Sequence, residues 1–411
     1  MMAVHTTHVQ AAVQQLLMEH GEYVPLELLL TTNRLGYEDY RAWREGRLET
    51  LDAVLADGTR ESCAWLEAAQ SWACALGLTA EPAVHHGWAE NAGTALVASV
   101  ELRLNALLSK QFRQIREHDQ LDLFVDSAQT SAVNTLVDAL TAGNVGEARG
   151  ALERLVRINR DHGQRFHATK LISALEASAP EGPEQGFERL ERMEREWVPA
   201  ASALLGRRRR DFLAPLWRDI AQALDRAPFN PAKPERHASR AYREGLDWER
   251  MRRSVLAVPG YESEPVLLAR LAEAHWRLRE RARAIETWFA LCHLAPGEFE
   301  RMVEASDFPD WSVQHAWRVA QEQAPEHEMT PAWFPAWMLL EEPGLAGVLD
   351  PRHGDDEPSR AFDLVIALLS HSNVDERGIE LRRSLRDIHP GLLERFLAKR
   401  ARATARRPLS R

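Results

Sequence analysis

Histidine, cysteine and acidic residues at close spacing are the side chains that could bind a metal ion or transfer a proton. His85 and His86 are adjacent, so they would point to different faces of any regular element, and this pair is typical of a loop. The acidic run 355–357 lacks the alternating spacing of a calcium-binding loop. No glycine-rich phosphate loop, HExxH motif or GxSxG motif occurs in the sequence. We therefore predict a protein that is not an enzyme and that holds no metal or cofactor.

A dense basic run, Arg207-Arg208-Arg209-Arg210, could contact nucleic acid or an acidic partner. The run could equally be a neutralised, solvated helix face, because acidic residues precede it closely. These residues are Glu188, Glu191, Glu194 and Glu196. The C-terminal tail, 399–411, is a second candidate for weak phosphate contact, since it is basic and contains no acidic residue.

The pentapeptide Gln120-Leu121-Asp122-Leu123-Phe124 is the most specific motif in the chain. With residue frequencies of roughly 4–10% each, a chance match has a probability of about one in a thousand. The pentapeptide resembles the docking peptides that bind the bacterial sliding clamp, the ring that tethers DNA polymerases. That resemblance implies that Leu123 and Phe124 fill an apolar pocket of the clamp, while Gln120 makes polar contacts in a second subsite.

A structural role for the pentapeptide remains an alternative, because its apolar residues also lie on one helical face. A helical pattern that runs through Phe112 and Ile115 ends before the pentapeptide, however, and Asp126 or Ser127 can cap the next helix. Under this interpretation residues 118–125 form a connector. Connectors lie at the surface, as a docking peptide requires.

Composition limits the remaining possibilities. A chain of 411 residues suits two or three domains or an extended helical array. The net charge of −10 argues against non-specific coating of nucleic acid, so we expect nucleic-acid contact to be indirect or weak. Three cysteines without a CxxC pair fit a reducing cytoplasm, and no apolar run is long enough to cross a membrane. We expect a cytoplasmic protein without a membrane partner.

Apolar residues recur every three or four positions, which predicts an all-α fold. Over 237–300 the chain resembles the tetratricopeptide-repeat family, with one good unit after a degenerate copy and a weaker match over 131–160. Small Ala272 and Ala284 would let the paired helices approach closely, and Pro296 would end the second helix. The residues that carry the good unit are Leu268, Leu271, Ala272, His275, Ala284, Trp288, Leu291 and Pro296.

The N-terminal region has a helix–turn–helix-like pattern: Pro25–Thr31, a turn over 33–36, and a second helix over 37–45. Its acidic residues would repel DNA, which favours a packing role for the second helix. The basic residues that could meet phosphates are Arg34, Arg41, Arg44 and Arg47.

These observations predict an irregular helical-hairpin solenoid that acts as an adaptor recruited to DNA replication or repair through the sliding clamp. The alternatives are a generic scaffold for another bacterial protein complex and a DNA-binding regulator. The sequence leaves the oligomeric state open. We divide the chain into five segments: an N-terminal module (1–95), a helix and connector with the pentapeptide (96–130), a hairpin (131–178), a repeat region (186–300) and a C-terminal region with the basic tail (301–411).

Overall fold

The fold is all-helical, as predicted: helices make up 73% of the computed structural model, and the strands form one small sheet in the part it describes. The chain forms two compact units, Met1–Ser254 and Val255–Arg411. This division falls inside the predicted segment 186–300, and the finer segment boundaries remain predictions. The structure describes residues 2–88, 91, 93–114, 125–159, 162–305, 308–323, 330–371 and 375–405.

The first unit contains helices of very different lengths around a short sheet. In chain order its elements are α1 (Met2–His20), β1 (Glu22–Tyr23), α2 (Pro25–Thr31), α3 (Tyr37–Arg44), α4 (Gly58–Ala75), β2 (Thr79–Pro82), α5 (Leu102–Leu108), β3 (Lys110–Arg113), α6 (Val125–Thr141), α7 (Val145–Ile158), α8 (Arg165–Glu176), α9 (Pro183–Arg192), α10 (Val198–Leu205), α11 (Arg209–Leu224), α12 (Ala238–Glu244) and most of α13 (Trp248–Leu256).

The antiparallel sheet has the order β1-β3-β2 and corrects one sequence interpretation. The predicted helix through Phe112 is wrong, because α5 ends at Leu108 and Phe112 lies in the central strand. Phe112 pairs in register with Tyr23, and the two buried rings lie 5.2 Å apart. The spacing of Leu108 and Phe112 fits a helix, but a tertiary contact with a strand 90 residues earlier decides the conformation.

Helices α2 and α3 confirm the predicted helix–turn–helix pattern. Pro25 begins α2, where its missing N–H costs no helical hydrogen bond. Asn33, at a φ of +58°, redirects the chain after α2, a conformation that asparagine tolerates better than most residues. The buried faces of both helices join the apolar core of the N-terminal part of the unit.

Helices α6 and α7 form the hairpin predicted over 131–160. They pack against each other and are joined at Gly143, whose φ of +71° suits glycine at a helix end. The prediction that Asp126 or Ser127 caps α6 is wrong, because the helix already begins at Val125. Asn144 caps α7 by accepting a hydrogen bond from the Glu147 N–H.

Helix α11 has more buried residues than any other described helix of the first unit. Apolar side chains cover nearly its whole circumference, as expected for a helix surrounded by neighbours, and it packs against α9, α10 and α12. Two charged residues, Asp211 and Arg218, are buried in it as well. Buried charges require partners, so this helix organises the polar contacts of the unit.

The second unit is a succession of packed helices. Its elements are α14 (Pro265–Arg277), α15 (Arg281–Leu294), α16 (Pro296–Glu304), α17 (Trp311–Gln323), α18 (Phe334–Glu341), α19 (Glu357–Ser370), α20 (Glu376–Ile388) and α21 (Pro390–Ala405). Each of these helices packs against its neighbour in sequence, including α18 and α19, which are joined by a longer loop.

Helices α14 and α15 form a tight hairpin. Ala272 and Ala284 are fully buried in its interior, as are most of the larger apolar residues that the repeat pattern singles out. Helix α15 ends at Leu294, and Pro296 begins α16. The predicted end of the second helix at this proline is therefore confirmed.

The aromatic segment 333–340 forms part of the core of the second unit, where Phe334 and Trp317 contact each other edge to face at 5.3 Å. Glu341 pairs with Arg395 and Lys399 of α21, so the described start of the basic tail is neutralised within the unit. None of the described helices is both long enough and apolar enough to span a bilayer.

Candidate functional site

The predicted arginine run lies at a turn between two helices of the first unit. Arg207 and Arg208 belong to a short 3-10 turn that begins at Gly206, whose φ is +54°. Arg209 and Arg210 then begin α11. The change from turn to helix sends the four side chains toward different neighbours, so they do not form one continuous basic face.

Two of these arginines pair with acidic residues far away in the sequence. Arg207 Nη1 lies 3.0 Å from Glu22 Oε1, and Arg208 pairs with Asp138. The interpretation that the preceding glutamates neutralise the run is wrong, because three of the four pair with other arginines. The observed pairs are Glu191 with Arg236, Glu194 with Arg240, and Glu196 with Arg192.

Arg210 is the centre of a buried polar network. Its Nη1 donates to Glu27 Oε2 at 2.7 Å, and its Nε donates to Asp211 Oδ1 at 3.1 Å. The guanidinium also lies over the rings of Tyr37 and Tyr40, at 5.3 and 5.7 Å from their centroids. Burial opposes ionisation of Glu27, but the charge of Arg210 outweighs it and holds the pKa of Glu27 below its usual value.

Asp211 joins the network to α3. It accepts hydrogen bonds from the hydroxyl groups of Tyr37 at 3.3 Å and Tyr40 at 3.4 Å. Burial, followed by the nearby charge of Asp211, raises the pKa of both phenols well above the usual value. Both hydroxyl groups therefore stay protonated and act as donors, which suits a fixed structural contact.

Arg218 makes a second connection between α11 and α3. Its Nη2 donates to Glu38 Oε1 at 2.5 Å, and its Nε donates to the carbonyl oxygen of Gly245 at 2.6 Å. A β-carbon at Gly245 would lie 2.8 Å from the Arg218 side chain, so the approach requires glycine there. One buried arginine thus fixes α3, α11 and the turn after α12 together.

A cavity of about 190 Å3 lies beside this network. It is smaller than typical small-molecule sites, which occupy about 300–1,000 Å3. The polar groups of Asp211 and Arg218 on its wall already bond to protein neighbours. The geometry is that of a packing gap beside a structural ion network.

The arginines of the helix–turn–helix pattern also have partners inside the unit. Arg34 pairs with Asp57, and its guanidinium lies 4.3 Å from the centroid of the Trp65 ring. The other contacts are those of Arg41 with Glu45 at 2.7 Å, Arg44 with the carbonyl oxygen of His86 at 2.6 Å, and Arg47 with Glu45 at 2.6 Å. These contacts favour packing over phosphate binding for this segment.

The side chains of the adjacent His85 and His86 point in different directions, as the sequence predicts. His85 is buried, and its Nε2 donates to the carbonyl oxygen of Leu108 at 2.9 Å, while His86 is exposed. Because a carbonyl oxygen only accepts, the proton of neutral His85 resides on Nε2. Within the described ranges, no three histidine, cysteine, aspartate or glutamate side chains come together as a metal site.

The pentapeptide Gln120-Leu121-Asp122-Leu123-Phe124 lies outside the described residues, which stop at Gln114 and resume at Val125. In sequence, the pentapeptide follows the central strand of the sheet and directly precedes α6.

Sequence reasoning missed the acidic half of the network. Glu27 lies 183 positions from Arg210, and Asp211 lies 171 positions from Tyr40, so no local spacing connects these partners. The only available signal was a charged residue, Asp211, within the otherwise apolar pattern of α11. Comparisons with known proteins add no further assignment: no protein family, curated protein or solved structure matches the chain.

Proposed function

We propose that this protein is a non-enzymatic helical adaptor that the bacterial sliding clamp recruits to sites of DNA replication or repair. One observation carries the proposal: the pentapeptide 120–124 resembles the docking peptides of clamp-binding proteins at all five positions. Its place in the sequence, between a strand and a helix, suits a docking segment, since such segments usually belong to connections between elements.

The energetics of docking follow from the two apolar anchors. Burial of Leu123 and Phe124 in a clamp pocket contributes roughly 1.5–3 kcal/mol each. Gln120 orients the peptide through hydrogen bonds, and the ordering of the segment offsets part of the gain. We therefore expect a micromolar dissociation constant, which corresponds to about −8 kcal/mol.

The helical hairpins supply the adaptor surface in this proposal. The hairpin of α14 and α15 has the small buried alanines and the closing proline of a tetratricopeptide-like unit. Such hairpins bury one face on their neighbours and present the other to partners. The clamp would bring the protein to DNA, and a helical surface would hold a second protein.

The principal alternative is a generic helical-repeat scaffold for another protein complex, in which 120–124 is structural. The DNA-binding alternative has less support, because the arginines of α3 and of the run 207–210 bond to protein groups. For the adaptor, we expect nucleic-acid contact to be weak or indirect.

The double substitution Leu123→Ala/Phe124→Ala separates docking from structure. If the two residues are clamp anchors, the variant keeps its helicity and loses capture by immobilised clamp. If they are core residues, the change destabilises the fold by roughly 5–10 kcal/mol and lowers the helical circular dichroism signal.

A matched control removes two apolar side chains elsewhere in the same unit. Ile158 and Phe166 are 43% and 62% exposed, so Ile158→Ala/Phe166→Ala deletes similar surface without touching the pentapeptide. This control should bind the clamp like the native protein. Equal loss of capture in the control would show that general surface hydrophobicity, not the pentapeptide, mediates binding.

A further inference from the structure

The second unit contains a larger cavity, of about 680 Å3, between α15, α19 and the loop that precedes α19. This volume lies within the range of small-molecule sites, about 300–1,000 Å3. Its wall includes the rings of Phe289 and Phe362, which lie 5.8 Å apart edge to face. Leu294 and Leu349 extend the apolar wall, so the cavity is suited to a ligand with an apolar body.

Arg352 is the principal cation of this cavity. Its guanidinium lies over both aromatic rings, 5.6 Å from the centroid of Phe289 and 5.1 Å from that of Phe362. The guanidinium forms no ion pair or hydrogen bond with any side chain in the described part of the unit. Burial lowers the pKa of Arg352 from its usual value, but an arginine stays charged at neutral pH. This half-buried cation therefore lacks an anionic side-chain partner within the described part of the unit.

The backbone around Arg352 is fixed, although its guanidinium is unpaired. Asp363 accepts from the backbone N–H of Arg352 at 2.7 Å and from that of His353 at 3.0 Å. Asp356 accepts from the Ser359 N–H and caps α19. Both nearby carboxylates are therefore bonded to backbone groups, and they hold the loop in place without neutralising the arginine.

The remaining polar groups of the cavity restrict the charge of a ligand. His293 lines the cavity, and its Nε2 is buried without a hydrogen-bond partner among the described residues. Glu286 and Asp350 also line it, but both are exposed to solvent. Solvated carboxylates attract a cation weakly, and they would repel a dianion from a site that has one arginine.

We propose that this cavity binds a small monoanionic carboxylate with an aromatic or aliphatic body. The carboxylate would accept two hydrogen bonds from Arg352, the geometry that a guanidinium favours. The apolar body would contact Phe289 and Phe362. This inference concerns the second unit alone and is independent of recruitment to the clamp.

Four compounds with a common phenyl group test the proposal on the full-length protein: phenylacetate, neutral phenylacetamide, cationic phenethylamine and dianionic phenyl phosphate. Saturation-transfer NMR titrations should show saturable binding of phenylacetate. The other three compounds should bind at least about tenfold more weakly, because each lacks the charge-assisted contact of a monoanionic carboxylate with Arg352. The proposal would be overturned if phenylacetate showed no saturable binding, or if phenylacetamide bound equally well. A preference for phenethylamine or phenyl phosphate would also overturn it.

Three variants locate the binding. Arg352→Gln should weaken phenylacetate binding about tenfold or more, whereas Arg386→Gln, which changes an exposed arginine on α20, should not alter it. Ala290 lies exposed on the cavity wall, so Ala290→Trp should block the cavity without changing Arg352 and should abolish binding. Unchanged affinity in the folded Ala290→Trp protein would refute the site even if Arg352→Gln does not fold.

Discussion

The buried imidazole of His85 should make the first unit sensitive to mild acid. His85 packs edge to face on Trp43, with ring centroids 5.6 Å apart, and its Nε2 donates to the Leu108 carbonyl oxygen. Burial lowers the pKa of His85 from 6.5 to about 4. The unfolded chain therefore takes up a proton at a higher pH than the folded unit does. As a result, the contribution of His85 to stability is complete above pH 6.5 and is lost as the pH falls toward 4.

The size of this effect follows from the pKa difference. Each pKa unit corresponds to about 1.4 kcal/mol, so the free energy of unfolding should lose about 3 kcal/mol through His85 between pH 7 and pH 4. His85→Gln preserves an amide donor that can reach the Leu108 carbonyl oxygen and cannot be protonated. The variant should be less stable than the native protein at pH 7 because packing on Trp43 is lost. Between pH 7 and pH 4, however, the native protein should lose about 3 kcal/mol of unfolding free energy relative to the variant, because only the native protein has His85 to protonate.

Urea unfolding at a series of pH values measures this difference. A brief deuterium pulse at one fixed pH, read by peptide mass spectrometry, reports unfolding of the first unit separately from the second. The control is His86→Gln, which removes the adjacent exposed histidine. Parallel stability curves for the native protein and His85→Gln would refute the reasoning, as would an equal change in the control.

Two further substitutions test the packing and the ion network. Ala272→Leu should overpack the hairpin of α14 and α15, where Ala272 and Ala284 are fully buried, and lower the free energy of unfolding by about 1–3 kcal/mol; an unchanged melting midpoint would contradict this. Arg210→Gln should destabilise the first unit by about 1.5–3 kcal/mol in urea titrations, because Glu27 and Asp211 lose a charged partner that is only 26% exposed. Arg209→Gln, at the adjacent exposed arginine, should change stability by less than about 0.5 kcal/mol.

The sequence predicted local structure well wherever local spacing determines it. The bounds of α2, the turn at Asn33 and the end of α15 before Pro296 follow from proline, turn residues and apolar periodicity. These features depend on residues within a few positions of one another. Spacing was not sufficient everywhere, because the predicted cap of α6 at Asp126 or Ser127 was wrong.

Contacts between distant segments were beyond the same reasoning. Phe112 has the spacing of a helical residue but lies in a strand, because its partner Tyr23 is far away in the sequence. The arginine run has the composition of a nucleic-acid contact, yet Arg210 is paired with Glu27 and Asp211. Charge in a sequence shows which residues need partners, and only the folded chain shows which partners they have.

The central claim is that residues 120–124 bind the sliding clamp, and a calorimetric titration tests it most directly. Purified clamp is titrated with the native full-length protein and with Leu123→Ala/Phe124→Ala. Recruitment predicts saturable binding of the native protein with a dissociation constant near 1 μM, about −8 kcal/mol, and no measurable heat for the folded double variant. Absence of binding by the native protein, or equal affinity of the two proteins, would contradict the proposed function.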